Sequence, residues 1–226
     1  MSKSRSLLRY SALAYAVLAS GALHAATKAI PLIPNSSIKL VGVELASVTY
    51  KGRKAMQVTH REGEDGRSLA ILPGIDFTDG IIEYDFAGDV KPGSGDGFRG
   101  FSGLAFRVQP GGSEYECFYQ RPRNGRSENQ EQRNHSVQYI SMPDFPWQRL
   151  RMETPGRYES YVDMVPGEWT HVRIEVHGAR ALLFVNHATQ PVLIVNDLKH
   201  GISHGTLALW VDVGTVAHFA NLRITR

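Results

Sequence analysis

The strongest constraint in this chain is an alternation of apolar and polar side chains with a period of two residues. It occupies three stretches, and in each the apolar side chains stand at every second position: Ile82, Tyr84 and Phe86; Leu104, Phe106 and Val108; Val172, Ile174 and Val176. Successive side chains of a β-strand point to opposite faces of a sheet, so this period is typical of half-buried strands. The partners of the first stretch, Ile81, Glu83 and Asp85, should share the opposite face.

Short apolar runs continue along the rest of the chain and are separated by turn-forming residues. They occupy residues 181–186, 191–195, 206–211 and 216–224. No window of a dozen residues carries the 3.6-residue apolar stripe of a helix. Many short strands without helices favour an all-β sandwich of two antiparallel sheets. We expect one domain over residues 38–226, preceded by an extended lead-in over residues 26–37.

The N-terminus has the order of a secretory signal peptide. Lys3, Arg5 and Arg9 precede an apolar run over residues 10–22, and small residues follow. The run is too short to span a bilayer comfortably as a helix. We therefore predict a signal peptide over residues 1–25, cleaved after Ala22 or Ala25, and a periplasmic or secreted product without stable membrane insertion. The alternative is an uncleaved anchor.

Charge and cysteine content narrow the classes of partner. Residues 1–25 hold three basic and no acidic residues, so the remainder has 22 of the 25 Lys and Arg against 22 Asp and Glu. A neutral chain without a basic cluster gives no support for nucleic acid as a partner. Cys117 is the single cysteine, so an intrachain disulfide is impossible and the domain must depend on its core. We expect Cys117 to be a buried strand residue.

Several segments together resemble a known fold family. They are "FTDGIIEYDF", "FSGLAFRV", "YECFYQRP", "GEWTHVRIEVHGARALLFVN", "VNDLKHG" and "AHFANLRI". In this order they resemble bacterial concanavalin A-like jelly rolls of the LamG and laminarinase type, over residues 38–226. Secreted bacterial domains labelled 3-keto-disaccharide hydrolases are related. The resemblance implies a jelly-roll sandwich with a sugar groove on a concave sheet, and it specifies activity poorly.

Laminarinase-type enzymes carry Glu-x-Asp-x-x-Glu on one strand. Here Glu83 and Asp85 stand at the first two positions, but Ala87 and Gly88 follow and Asp89 comes one residue late. Retaining hydrolysis needs one protonated and one ionised carboxyl group. Glu83 and Asp85 are therefore weak catalytic candidates, and two solvated acids on an outer strand face are favoured over them.

A run of planar hydrogen-bonding side chains over residues 115–139 suggests a different site. Aromatic rings stack on sugar rings, and Arg or Gln side chains donate to hydroxyl or carboxylate groups. The ligand-binding candidates are Arg107, Tyr119, Arg121, Gln138, Tyr139 and Trp147. Arg107 would lie on a shallow groove floor beside Gly103 and Ala105. The alternative is a structural Arg121–Glu116 ion pair followed by a solvated loop over residues 123–134.

Two further chemistries stay open as weaker hypotheses. A polysaccharide lyase would neutralise a uronate with Arg or Gln and abstract a proton with His135 or Tyr139, although the alginate-lyase strand motifs are absent. Calcium is common in the superfamily, and Asp89 and Asp96 could supply ligands, although the dense acids of a calcium loop are missing. No other cofactor is indicated.

The sequence thus predicts a secreted β-sandwich that binds poly- or oligosaccharide in a concave-face groove. The alternatives are a glycan-cleaving enzyme on the same fold, either hydrolase or lyase, and a structural surface domain without a glycan site.

Overall fold

The computed structural model describes residues 26–63, 68–95 and 97–226. The proposed signal peptide over residues 1–25 and the calcium candidate Asp96 lie outside this part of the chain. Among the described helices, none is long and apolar enough to cross a membrane.

The larger sheet has eight strands, and every strand pair in it is antiparallel. Its strands are β1 (Thr27–Ala29), β3 (Val43–Tyr50), β4 (Arg53–His60), β6 (Gly80–Val90), β11 (Thr170–His177), β12 (Arg180–Val185), β13 (Leu193–Val195) and β15 (Thr215–Thr225). The order across the sheet is β13-β12-β11-β6-β15-β4-β3, and β1 pairs with the end of β15. The expected lead-in therefore contains a strand that is docked on the sheet.

The second sheet has seven strands in the order β10-β9-β8-β7-β14-β5-β2, again all antiparallel. Its strands are β2 (Lys39–Val41), β5 (Leu69–Ile71), β7 (Ser102–Val108), β8 (Tyr115–Gln120), β9 (Val137–Met142), β10 (Glu159–Ser160) and β14 (Thr206–Val211). The two sheets form the all-β sandwich that the alternating pattern predicted, so the predicted fold class is confirmed.

The core lies between the sheets and is built from the apolar positions of the alternating strands. Ile82, Tyr84 and Phe86 of β6 are buried, as are Val172 and Ile174 of β11. Burial of this much apolar surface is the main favourable term in folding. Most of the opposite positions of β6 and β11 stay at least partly exposed, so the larger sheet has one solvated face, as predicted.

The smaller sheet is covered on both faces, which the sequence did not predict. Every residue of β7 and β8 is buried. The parts of residues 121–165 outside β9 and β10, here called the covering segment, lie over its outer face and contain two short helices, α1 (Gln130–Asn134) and α2 (Trp147–Glu153). The backbone N–H of Gln132 donates to the side chain of Asn129, which caps α1. The loop expected over residues 123–134 is therefore partly helical.

Candidate functional site

The solvated face of the larger sheet carries a pocket of about 510 Å³. Four neighbouring strands each supply a side chain to its lining: Arg53 of β4, Asp85 of β6, His171 of β11 and Arg223 of β15. Trp169, just before β11, closes one side. Glu83 and Asp85, the two acids chosen from the sequence, thus lie in or beside the pocket on the same strand face.

Asp85 is held by three side chains from three different elements. Its Oδ2 accepts hydrogen bonds from Arg53 Nη1 at 3.0 Å and from Asn221 Nδ2 at 2.7 Å, and its Oδ1 lies 2.8 Å from His171 Nδ1. A half-buried carboxylate needs such partners because burial without them is costly. The carboxylate therefore fixes the positions of the groups that line the pocket.

Glu83 lies two residues before Asp85 on the same face of β6 and is paired with Arg223. Arg223 donates to both of its carboxylate oxygens, from Nε at 2.9 Å and from Nη2 at 3.1 Å. The hydrogen bonds from Arg223 lower the pKa of Glu83, and His171, 3.5 Å away, adds to this effect. A general acid needs a raised pKa, so this environment favours an ionised Glu83 that orients its neighbours.

Three residues at the pocket have left-handed backbone conformations. Asn186, His187 and Asn221 have φ angles of +54°, +58° and +55°. Asn and His occur in this region more often than most other residues apart from Gly. Asn221 falls where the β15–β6 register shifts between Ala220 and Arg223, and a bulge of this kind redirects a side chain. Strained positions of this kind cluster at functional sites.

Aromatic rings form the remaining walls of the pocket. The ring of His187 stacks on that of His171 with centroids 4.1 Å apart. The Arg53 guanidinium lies 5.2 Å from the centre of the Trp169 ring, and Tyr50 meets the same indole edge-on at 5.9 Å. Trp169 therefore contributes an aromatic wall to the pocket.

Most of the ligand-binding candidates from residues 115–139 form a different cluster, which is buried under the covering segment. Arg121 donates to Tyr119 Oη at 2.7 Å, to Gln138 Oε1 at 3.3 Å and to the carbonyl of His135 at 2.9 Å. Its guanidinium also lies 5.7 Å from the ring centre of Trp147. A ligand would reach this cluster only after the covering segment moved.

Arg121 pairs with a different acidic residue from the one expected. Arg121 lies 3.9 Å from Glu159 of β10, and both side chains are buried. Glu116 instead points into the core, where it accepts a 2.6 Å hydrogen bond from Tyr139 Oη and a 2.9 Å bond from the backbone N–H of His200. The expected Arg121–Glu116 pair is wrong because the two side chains stand on opposite faces of the sheet.

Arg107 is not on a groove floor. Its side chain is fully buried, and its guanidinium donates to the carbonyls of Thr78, Gly178 and Gly201 at 2.7–3.0 Å. These carbonyls belong to three separate loops, so Arg107 ties the loops together at one end of the sandwich. The expected exposure is wrong because these loops enclose the guanidinium.

The lyase candidates lie in surroundings that do not favour proton abstraction. Burial and the nearby Glu116 carboxylate raise the pKa of Tyr139, which holds its proton more tightly. Burial also lowers the pKa of His135, against the opposing effect of Glu159, 3.3 Å from its Nε2. Tyr139 contacts Glu116, and His135 contacts Glu159 on the other side of the smaller sheet. The two residues therefore do not form one site.

Asp89 has surroundings that do not fit calcium. Its Oδ1 accepts hydrogen bonds from the backbone N–H of Val90 at 2.7 Å and from Arg123 Nε at 3.0 Å. A guanidinium at this distance occupies the place that a cation would take. Within residues 26–63, 68–95 and 97–226, no group of three or more His, Cys, Asp or Glu side chains could hold a metal ion.

Comparison with solved structures identifies the fold. Carbohydrate-binding module CBM66 from Bacillus subtilis superposes with a TM-score of 0.58 at 17% identity, covering 86% of this chain and 99% of that chain. Domain 4 of AbnA, an extracellular GH43 arabinanase from Geobacillus stearothermophilus solved with arabinotriose, gives 0.44 at 15% identity and covers 81% and 75%. A Bacillus subtilis protein with a galectin-like fold gives 0.46 at 12% identity and covers 81% and 87%.

The chain is thus a jelly-roll β-sandwich with a polar, aromatic-walled pocket on its solvated sheet face, and the predicted jelly-roll fold is confirmed. The sequence matches no protein-family model, and no curated protein matches it either.

Proposed function

We propose that this domain binds carbohydrate in the pocket on the solvated face of the larger sheet. The observation that carries the proposal is the composition of the pocket: Asp85 fixes donors from three elements beside the indole of Trp169. Sugars present hydroxyl groups around a ring with apolar faces, so they need fixed donors and acceptors next to an aromatic surface. The groove expected from residues 115–139 is replaced by this pocket.

The charges of the pocket favour a neutral ligand. Arg53 is paired with Asp85, and Arg223 is paired with Glu83. The charges of these two pairs cancel, so phosphate or carboxylate groups would find no unpaired guanidinium. Hydroxyl groups, in contrast, can accept from the remaining guanidinium protons. The fold is similar to that of a carbohydrate-binding module, which agrees with this ligand class.

Binding without cleavage is the form of the proposal that the pocket supports. Retaining hydrolysis requires one carboxylic acid that keeps its proton near neutral pH. Arg223 acts in the opposite direction on Glu83 by lowering its pKa. Asp85 is engaged by Arg53, Asn221 and His171, so its oxygens are committed to positioning.

The test is calorimetric titration with xylan, arabinan, laminarin, cellulose fragments and polygalacturonate. We expect Trp169→Ala and Arg53→Ala to weaken binding about tenfold to a hundredfold, the equivalent of roughly 1.5–3 kcal/mol for a lost charge-assisted hydrogen bond. Trp147→Ala and Arg149→Ala are the matched controls, because both residues lie on the opposite side of the sandwich, and they should leave affinity unchanged.

Two results would contradict the proposal. One is unchanged affinity in Trp169→Ala and Arg53→Ala with loss of affinity in the controls, which would place the ligand near the covering segment. The other is turnover, seen as new reducing ends or as absorbance of unsaturated products, that Asp85→Asn or Glu83→Gln abolishes. Such turnover would make the domain a glycan-cleaving enzyme.

Export completes the proposed function. The signal-peptide pattern of residues 1–25 supports delivery to the periplasm or the medium, where polysaccharides are met. Cleavage after Ala25 would leave β1, which begins at Thr27, intact. Ala29 of β1 pairs with Arg223 and lines the pocket, so cleavage must spare it for the pocket to stay complete.

A further inference from the structure

A second cavity, of about 490 Å³, lies on the same solvated face. Gln57 of β4, Asp89 of β6 and His218 of β15 contribute to its lining. These are the strands that also supply Arg53, Asp85 and Arg223 to the first pocket. The two cavities therefore follow one another along shared strands.

The aromatic pair of Tyr50 and Trp169 stands between the two cavities. Trp169 lines the first cavity and Tyr50 lines the second. Along β4, Arg53 and Gln57 are four residues apart, which is about 13 Å at roughly 3.3 Å per residue. This distance exceeds the length of one sugar ring, so a ligand that touches both cavities must have several rings.

The rim between the cavities is fixed before any ligand arrives. The hydroxyl of Tyr50 donates to the carbonyl of Gly167 at 2.9 Å, and its ring stacks on His218 at 3.7 Å with an angle of 9° between the planes. Burial lowers the pKa of His218, which favours the neutral imidazole in this stack. A rigid rim costs little entropy on binding, which favours affinity.

The second cavity presents groups that suit hydroxyls. Gln57 donates from Nε2 to Thr59 Oγ1 at 3.3 Å, which leaves the Thr59 hydroxyl proton for another acceptor. Both hydrogen bonds described for Asp89 end on Oδ1, which leaves Oδ2 as an acceptor. The Asp89 charge is balanced by Arg123, so this cavity, like the first, favours neutral ligands.

We propose that the second cavity binds further residues of the same carbohydrate chain, so that the domain recognises a linear neutral oligosaccharide lying along the strands. This inference builds on the proposed function, because the first pocket anchors one part of the chain. Affinity should therefore rise with chain length until both cavities are filled.

Calorimetric titration with xylo-, arabino-, laminari- and cello-oligosaccharides of one to six residues tests this inference. In the series that binds, we expect the tetrasaccharide to bind at least about tenfold more tightly than the monosaccharide. Thr59→Val and Gln57→Ala should each reduce tetrasaccharide affinity by about threefold to tenfold, as expected for one neutral hydrogen bond. Thr49→Val, on an exposed position of β3, is the matched control and should have no effect.

The outcomes separate this inference from the proposal on which it builds. Equal affinity for the monosaccharide and the tetrasaccharide, both weakened by Trp169→Ala, would contradict ligand binding in the second cavity and support binding in the first. A gain with chain length that Thr59→Val and Gln57→Ala leave intact would place the added residues elsewhere and also overturn the inference. Absence of binding in all four series, or binding that Trp169→Ala does not weaken, would overturn both.

Discussion

Replacing Arg107 with Ala should destabilise the fold and leave sugar affinity unchanged. Arg107 has a left-handed backbone, with φ of +53°, and its guanidinium donates to carbonyls of the loops that contain Thr78, Gly178 and Gly201. The loops follow β5, β11 and β13, so a single side chain joins three segments that are far apart in the sequence. Removing the guanidinium leaves three carbonyls without their donors.

The magnitude follows from these contacts. A net hydrogen bond contributes about 1 kcal/mol, so the three carbonyls account for about 3 kcal/mol. The 3.1 Å pair with Asp79 adds little, because the Asp79 side chain is 42% exposed and screened by water. A loss of about 3 kcal/mol lowers Tm by about 6–12 °C in a domain of this size. It stays below the roughly 5–15 kcal/mol of a typical domain, so the variant should fold.

Thermal melts and urea unfolding measure the loss, and titration with the binding oligosaccharide measures affinity on the same samples. Arg107→Lys keeps the charge but offers three donors in place of five, so it should recover part of the stability. Arg149→Ala removes an exposed pair with Glu153 and should cost at most about 0.5 kcal/mol. A Tm within about 2 °C of the parent in Arg107→Ala, or a selective loss of affinity, would refute this reasoning.

Three further predictions concern the other cluster, the pocket and export. Arg121→Ala leaves Glu159 buried beside fewer donors and should cost about 3–5 kcal/mol in urea unfolding, whereas a loss of sugar affinity at unchanged stability would contradict this. Because Arg223 lowers the pKa of Glu83 below its ordinary 4.5, Glu83 stabilises the fold at neutral pH. This contribution is lost as pH falls below about 4.5 through the lowered folded-state pKa, so Glu83→Gln should flatten the acid limb of stability measured by urea unfolding, and an unchanged slope would speak against it. N-terminal sequencing of the exported protein should start between residues 23 and 27, and an intact Met1 in a membrane fraction would contradict this.

Strand faces could be predicted from the sequence because the pleat imposes a period of two on every strand. The pattern of β6 and β11 assigned Tyr84 and Val172 to the core and placed Glu83 and Asp85 on the solvated face. These assignments need no knowledge of what lies above the sheet, since one face must be buried for the sandwich to form. They are the part of the prediction that the structure confirms.

Exposure on the smaller sheet could not be predicted in the same way. Tyr119, Arg121 and Gln138 carry the planar polar groups of a sugar site, yet the covering segment buries them. Side-chain chemistry is the same for a polar network in the interior and a polar groove at the surface. Whether a buried network or a surface groove forms depends on where residues 121–165 pack. Their packing is set by long-range contacts, which leave no local pattern in the sequence.

The pocket could be predicted from the sequence in part, because strand faces follow from alternation whereas the partners on neighbouring strands do not. The sequence assigned Glu83 and Asp85 to an outer face, and half-buried carboxylates require donors at neighbouring cross-strand positions. The antiparallel register then supplies them: His171 stands opposite Asp85, and Arg223 stands opposite Glu83. Alternation thus identifies a face that needs partners, while strand order and register determine which residues those partners are. Neither order nor register is fixed by local sequence, which is why the acids were found and the basic residues that complete the pocket were not.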